Sequence, residues 1–224
     1  MRQLHFLHIG KCAGTYIKSL AAVINATRSD LRIIAHPHHV TLAHLPPGSE
    51  YFFSVRAPEA RFLSGFYSRK RKGQPLYNSE WSPSERIAFG YFEHANDLAE
   101  ALFTDGAEGS RAFAAMKSIE HLARDQTDYF RGLGFFLSHW PPVFIIRQEH
   151  FEADMRELYA RLGLEGMPLQ VVDPTTSKRA RHGNDYSAVK PLSDTALTNL
   201  RRWYAQDEEL LRQCNRWIAQ AGKA

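Results

Sequence analysis

Two glycines, a lysine and a threonine hydroxyl fall within six residues, Gly10-Lys11-Cys12-Ala13-Gly14-Thr15. Small residues let a backbone turn closely around a ligand, and a lysine among them supplies a compact positive charge. A helix starting directly afterwards would add unpaired N–H groups and a positive dipole end. That combination suits a phosphate or a sulfate group. A second cationic set, Arg56, Arg61 and Ser64, follows later in the chain. Its bland reading is ion pairing of the arginines with Glu59 or another acid. The segment His36-Pro37-His38-His39 offers imidazoles that could take a proton from a hydroxyl. Zinc is the rival use, but adjacent histidines rarely chelate one ion together, and no cysteine or carboxylate is near, so no metal site is expected. Cys12 at a helix start raises the thought of a cysteine phosphatase. Such a site needs an arginine clamp six residues on, and Lys18 stands there. Glu149 is a second candidate base, with helix capping as its other reading.

The elements that would carry these residues are legible as changes of period. Leu4 to Ile9 reads as a short buried strand, and Ile17, Leu20, Ala21 and Ile24 form the stripe of an amphipathic helix from Thr15. Leu31–Ala35, Tyr51–Val55 and Val143–Ile146 read as further strands. Pro58 suits the first turn of a helix with Phe62, Leu63, Phe66 and Tyr67 on its buried face. Phe151, Met155, Leu158 and Leu162 mark another helix, closed by Gly163. A last helix is expected from about Ser193, with Leu197, Leu200, Tyr204, Leu211, Cys214 and Ile218 in one stripe. Asp207 interrupts that stripe and reads as a buried, hydrogen-bonded acid. Arg69 to Pro83 looks like a basic excursion, followed by short helices that include Asn96–Phe103 and Ser110–Leu122. Strands alternating with helices imply a parallel sheet covered on both faces, with ligands beyond the carboxyl ends of its strands. The Gly10–Thr15 loop and Arg56 both fall at such ends, so one site built from two segments is expected.

The chain has 224 residues and a formal charge of +4, enough for one domain over 1–224 with a helical excursion at about 73–140. The charge is a mild bias toward anions and far short of a nucleic-acid signature. No apolar run reaches the roughly 18–20 residues of a membrane span, and the start lacks the pattern of a signal peptide. Two cysteines, Cys12 and Cys214, make no disulfide framework, so a cytoplasmic location is expected. A nucleoside-triphosphatase loop places its lysine beside the magnesium-binding hydroxyl. Here Lys11 precedes the second glycine, and the third strand ends in Arg56 where a metal-binding aspartate would be wanted.

Two segments carry a family resemblance. HIGKCAGTYI resembles the 5′-phosphosulfate loop of sulfotransferases that use 3′-phosphoadenosine 5′-phosphosulfate (PAPS), in the carbohydrate-sulfotransferase branch with HIPKTGGTS-like loops. FSVRAPEARFLSGFYS is similar to that family's 3′-phosphate segment, R-x-P-x-x-R-x-x-S-x-[FY]. VFIIRQEHFEADMRELYARLGL extends the likeness over most of the chain, leaving about Gly73 to Trp140 weakly matched. Departures are Gly10 for the usual proline and Cys12-Ala13 for Thr-Gly, which removes a hydroxyl but keeps the backbone N–H groups.

The resemblance implies a P-loop-like three-layer α/β/α sandwich with a central parallel sheet, and a helical region shaping the acceptor pocket. It implies transfer of a sulfuryl group from PAPS to an acceptor hydroxyl, on a saccharide, without a metal. Lys11 would stabilise charge on the leaving phosphate. The loop Gly10, Lys11, Cys12, Ala13, Gly14, Thr15 and Tyr16 would surround the 5′ end, with the N–H groups of Gly14, Thr15 and Tyr16 on the phosphate. Arg56, Arg61 and Ser64 would grip the 3′-phosphate. Lys178 and Arg179, near Arg181 and His182, lie where the family closes a loop over PAPS. The His38-His39-Val40 pattern is similar to the segment that supplies a base in uronyl-type heparan sulfotransferases, which favours His39, with His38 one alignment gap away. The alternatives are a nucleotide kinase with a degenerate loop and a non-enzymatic module that binds polyanions. Elsewhere, Arg69-Lys70-Arg71-Lys72 reads as a solvated helix end or as a contact for an anionic saccharide. Trp81, Tyr91, Tyr129 and Trp140 read as core or as stacking surfaces for sugar rings.

Overall fold

The computed structural model describes residues 1–75, 77–169 and 189–221. Four short strands, whose buried residues are mostly apolar, make one parallel sheet. They are β1 (Arg2–Leu7), β2 (Leu31–Ala35), β3 (Tyr51–Val55) and β4 (Phe144–Arg147), in the spatial order β2-β1-β3-β4. β1 is central: Leu4 pairs with Ile33 on one side, and Phe6 pairs with Phe52 on the other. Such residues fit strands covered on both faces. The fold is α/β.

Of the described residues, 1–57, 126–169 and 209–221 form one compact unit, and 58–125 with 189–208 form a second. In the first unit, α1 (Gly14–Thr27) and α7 (Phe151–Arg161) cover one sheet face. Ile17, Leu20 and Ile24 meet Leu4, Phe6 and Phe52 there, joined by Met155 and Leu158. Strand alternation sends Leu7, Tyr51, Phe53 and Ile145 to the other face. They pack with Tyr129, Phe130, Phe136 of α6 (Phe136–His139), and Leu210 and Cys214 of the last helix. Burial of each such side chain is worth about 1.5–3 kcal/mol.

The second unit is helical: α2 (Pro58–Lys70), α3 (Pro83–Tyr91), α4 (Ala95–Ala101), α5 (Gly106–Ser118) and α8 (Asp194–Trp203). Phe62, Phe66, Leu98, Met116 and Leu200 form its core. α9 (Ala205–Ala221) begins in this unit and continues in the first.

Several expectations are corrected. β1 ends at Leu7 rather than Ile9 because the Ile9 N–H turns back to the Leu7 carbonyl and leaves the ladder. The expected last helix is two helices, parted at Tyr204, whose backbone leaves the helical region. The two central helices start earlier and stop earlier than read, at Ala101 and Ser118. Within the basic run, Lys70, Arg71 and Lys72 lie part-exposed at the end of α2, but Arg69 is not solvated. Arg69 is buried inside α2 and binds Glu85 through two hydrogen bonds of 2.6 and 2.7 Å. It also donates to the carbonyls of Ser79 and Glu80, while the Trp81 indole donates to the Arg69 carbonyl. One guanidinium thus anchors the whole connection into α3. Tyr129 and Trp140 are structural: Trp140 donates to the Ser49 carbonyl and accepts from Tyr51. Trp81 is half-buried in the second core, and exposed Tyr91 lies under the Arg111 guanidinium.

Candidate functional site

The loop from His8 to Ala13 joins β1 to α1, and its shape is fixed from several sides. Lys11 and Ala13 are non-glycine residues with φ of 68° and 62°. Each left-handed residue costs roughly 1–2 kcal/mol, so surrounding bonds must hold it. The Gly10 N–H donates to the Tyr129 hydroxyl at 3.3 Å. The Ser54 hydroxyl donates to the Cys12 carbonyl. The Cys12 thiol, fully buried, donates to the Gly10 carbonyl and to Gln126 Oε1. A thiol enclosed in this way is a strut and not a presented nucleophile, which removes the phosphatase reading.

Gly14 is required for space. A Cβ there would lie 1.8 Å from His8 Nε2, so the buried His8 ring occupies the place of a side chain beneath the start of α1. Gly10 has no such restriction, its nearest neighbour being His38 Nδ1 at 3.7 Å from the added carbon. Gly14 and Thr15 open the helix, where N–H groups have no intrahelical acceptor. Tyr16 differs from expectation: its N–H already donates to the Ala13 carbonyl at 3.0 Å, and its hydroxyl donates to the Leu169 carbonyl. The tightened first turn uses that amide, so an anion at the loop would meet Gly14 and Thr15 first.

Arg56 follows β3 directly, on the strand beside β1. Its guanidinium donates to the Lys11 carbonyl at 3.4 Å, which brings Arg56 of the expected second grip to the Gly10–Thr15 loop in the first unit. The side chain of Gln126 holds its backbone from both sides. The Arg56 N–H donates to Gln126 Oε1 at 3.0 Å, and Gln126 Nε2 donates to the Arg56 carbonyl at 2.8 Å. The next N–H, of Ala57, donates to Glu149 at 2.9 Å. Glu149 is therefore a clasp on the end of β3 and not the cap of α7, whose N-cap His150 has no side-chain capping bond.

The histidines form two pairs. His5 Nδ1 and His36 Nε2 are 2.8 Å apart, with ring planes 6° from parallel. A contact that short between parallel rings means that they meet edge to edge, one N–H donating to the other's lone pair. Burial lowers the pKa of both, and for His36 the charge of His5 adds to this. The His38 ring packs tilted against that of His8, with centroids 3.8 Å apart, and its Nδ1 lies 3.3 Å from the His8 carbonyl. A carbonyl can only accept, so Nδ1 carries the hydrogen and neutral His38 has its lone pair on Nε2. His38 borders the loop at Gly10; His38 and His39 are both exposed.

Arg61 and Ser64 are buried in the second unit. The Arg61 guanidinium donates to the Arg124 carbonyl at 2.6 Å and lies 4.0 Å from the Asp207 carboxylate. Asp207 is fully buried, which explains the acid within an apolar stripe. Lys178, Arg179, Arg181 and His182 lie outside the described residues. Among the described residues no three His, Cys, Asp or Glu side chains gather to hold a metal ion. No helix among them is long and apolar enough to cross a membrane.

Ser54, Gln126 and His8 were not singled out by their sequence context, and Tyr129 was named only as core or a stacking surface. Ser54 had a signal, as the one residue without an apolar or aromatic side chain in a strand buried along its length. Gln126 had none, because its partners lie 70 and 114 residues away. No protein-family profile matches the chain, and neither a curated protein nor a solved structure is significantly similar to it.

Proposed function

We propose that this chain is a PAPS-dependent sulfotransferase on a P-loop-like three-layer sandwich, acting on a saccharide hydroxyl. The observation that carries the reading is the bond from the Arg56 guanidinium to the Lys11 carbonyl. The two segments that resemble the family's 5′ and 3′ phosphate grips thereby meet at the ends of neighbouring strands.

In this reading Gly14 and Thr15 bind the 5′-phosphate through N–H groups, and Arg56 binds the 3′-phosphate. Arg61 is assigned to the fold, since its guanidinium is engaged with Arg124 and Asp207. His38 replaces His39 as the preferred base because it touches the loop at Gly10. As the acceptor oxygen bonds to sulfur, its proton passes to His38 Nε2. The bond from sulfur to the phosphate oxygen breaks, and its electron pair stays on the leaving 3′-phosphoadenosine 5′-phosphate. Lys11 stabilises that charge, a role typically worth about 3 kcal/mol. The reading places the protein in the cytoplasm.

The test is transfer of labelled sulfuryl from PAPS across a panel of saccharide acceptors, beside phosphoryl transfer from magnesium ATP. Labelled saccharide with PAPS alone supports the proposal. Phosphoryl transfer would instead identify a nucleotide kinase with an altered loop. Binding of polyanions that falls steeply with salt and ignores the 3′-phosphate would identify a non-enzymatic module.

A further inference from the structure

We propose that Gln126 is a positioning residue that sets the distance between the two phosphate grips, an inference that rests on the sulfuryl-donor reading. β3 ends at Val55, and Arg56 lies one residue beyond its ladder. There the Gln126 amide takes the place of a neighbouring strand, accepting the Arg56 N–H at 3.0 Å and donating to the Arg56 carbonyl at 2.8 Å. The same Oε1 accepts the Cys12 thiol at 3.4 Å, and the Cys12 carbonyl accepts from Ser54. One fully buried side chain therefore joins the middle of the Gly10–Thr15 loop to the backbone of the residue that reaches back to Lys11. A nucleotide carrying both phosphates spans these two segments, so its affinity depends on their being held at a fixed separation.

The orientation of the amide is forced. Turned over, it would set NH2 against the Arg56 N–H and oxygen against the Arg56 carbonyl. This polarity gives a test that a space-filling role would not pass. In the Gln126→Glu variant an ionised carboxylate keeps the acceptor for Arg56 N–H and Cys12, but sets its second oxygen against the Arg56 carbonyl. A protonated carboxyl restores the missing donor. Burial and the facing carbonyl raise the pKa of such a group above its usual value of about 4.3. The charged or titratable neighbours are Cys12, Lys11 and the Arg56 side chain, with Asp125 and Asp128 adjacent in sequence and Glu149 on Ala57. All are common to the wild type, so comparison at each pH removes their own titration.

Affinity for 3′-phosphoadenosine 5′-phosphate and the melting temperature are measured between pH 8 and pH 5 for the wild type, Gln126→Glu and Gln126→Leu. At pH 8 both variants should bind about tenfold more weakly than the wild type, as expected for loss of one buried hydrogen bond or more. Toward pH 5 the deficit of Gln126→Glu should close in both affinity and melting temperature, while that of Gln126→Leu stays constant. A Gln126→Glu deficit that does not change with pH, or its absence at pH 8, overturns the proposal. Failure of the wild type to bind the nucleotide refutes the sulfuryl-donor reading, and with it the role of Gln126 in binding that nucleotide; the melting temperatures then judge the strut alone. If neither variant folds, hydrogen exchange of the wild type decides: a protected Arg56 amide supports the strut, and an amide exchanging like open coil overturns it.

Discussion

Replacing Gly14 by alanine should destabilise the first unit, and without the His8 ring the same replacement should not. The new Cβ would fall 1.8 Å from His8 Nε2 and 1.9 Å from its neighbouring ring carbon, far inside any real contact. Relief requires the ring to move by more than 1 Å, roughly the gap to the 3.0 Å that real Cβ atoms keep. The ring has little room, because its centroid lies 3.8 Å from that of the tilted His38 ring and 5.6 Å from that of Phe6, on which it stacks. Overpacking of this kind costs about 1–3 kcal/mol. In a His8→Ala background the clash is gone, and alanine in a helix is favoured over glycine by about 0.5–1 kcal/mol. The sign of the Gly14→Ala effect should therefore reverse. The coupling between the two changes should be about 1–3 kcal/mol, the cost of the clash itself, which is within the range of contacting residues. Urea unfolding of the wild type, both single variants and the double variant measures it directly. If Gly14→Ala is neutral, or costs as much without the His8 ring as with it, the ring is not what excludes a side chain at this position.

Further outcomes follow from the same geometry. Burial opposes ionisation of Glu85, but Arg69 and the N–H groups of Ser82 and Glu120 outweigh it and hold its carboxyl down at about 2. A depressed folded-state pKa adds stability that is complete above the usual carboxyl range and is lost as pH falls toward 2. Acid titration of the helical unit should show that loss, on the order of 3 kcal/mol, and Glu85→Gln should abolish it. Equal pH dependence in the wild type and Glu85→Gln would contradict the assignment. Lys11→Ala should lower turnover of PAPS by about 100-fold to 1,000-fold with a smaller change in nucleotide affinity; full turnover at saturating PAPS would remove Lys11 from the chemistry. His38→Ala should cut turnover by about 100-fold or more with nucleotide binding intact, while His39→Ala leaves it near normal; the reverse pattern would move the base to His39.

What the sequence made legible was local. β2 and β3 lie where their apolar runs end, and Pro58 opens α2 because its fixed φ and missing N–H suit only a first turn. Ser193 caps α8 by accepting the Ala196 N–H, and Gly163 closes α7 with φ of 65°. The loop at Gly10–Thr15 could be read as an anion site because its residue types act within a few positions of each other. What could not be read depends on distant partners. Arg69 sits in a run of four cations, and only its meeting with Glu85 makes it a buried anchor. The break at Tyr204 leaves the apolar spacing of the stripe intact, so periodicity alone gives no sign of it. Gln126, flanked by polar residues, matters only because folding lays its amide beside Arg56. His38 and His39 differ by one residue of register, and only the fold shows that it is His38 that lies against the His8 carbonyl.

The most direct test of the account is calorimetry with 3′-phosphoadenosine 5′-phosphate, adenosine 5′-phosphate and magnesium ATP on the wild type and Arg56→Ala. The account predicts that losing the 3′-phosphate weakens wild-type binding by about 1.5–3 kcal/mol, the range for a hydrogen bond to a charged group. In Arg56→Ala the two adenosine phosphates should bind nearly alike. Wild-type binding that is indifferent to the 3′-phosphate, or tightest with magnesium ATP, would contradict it.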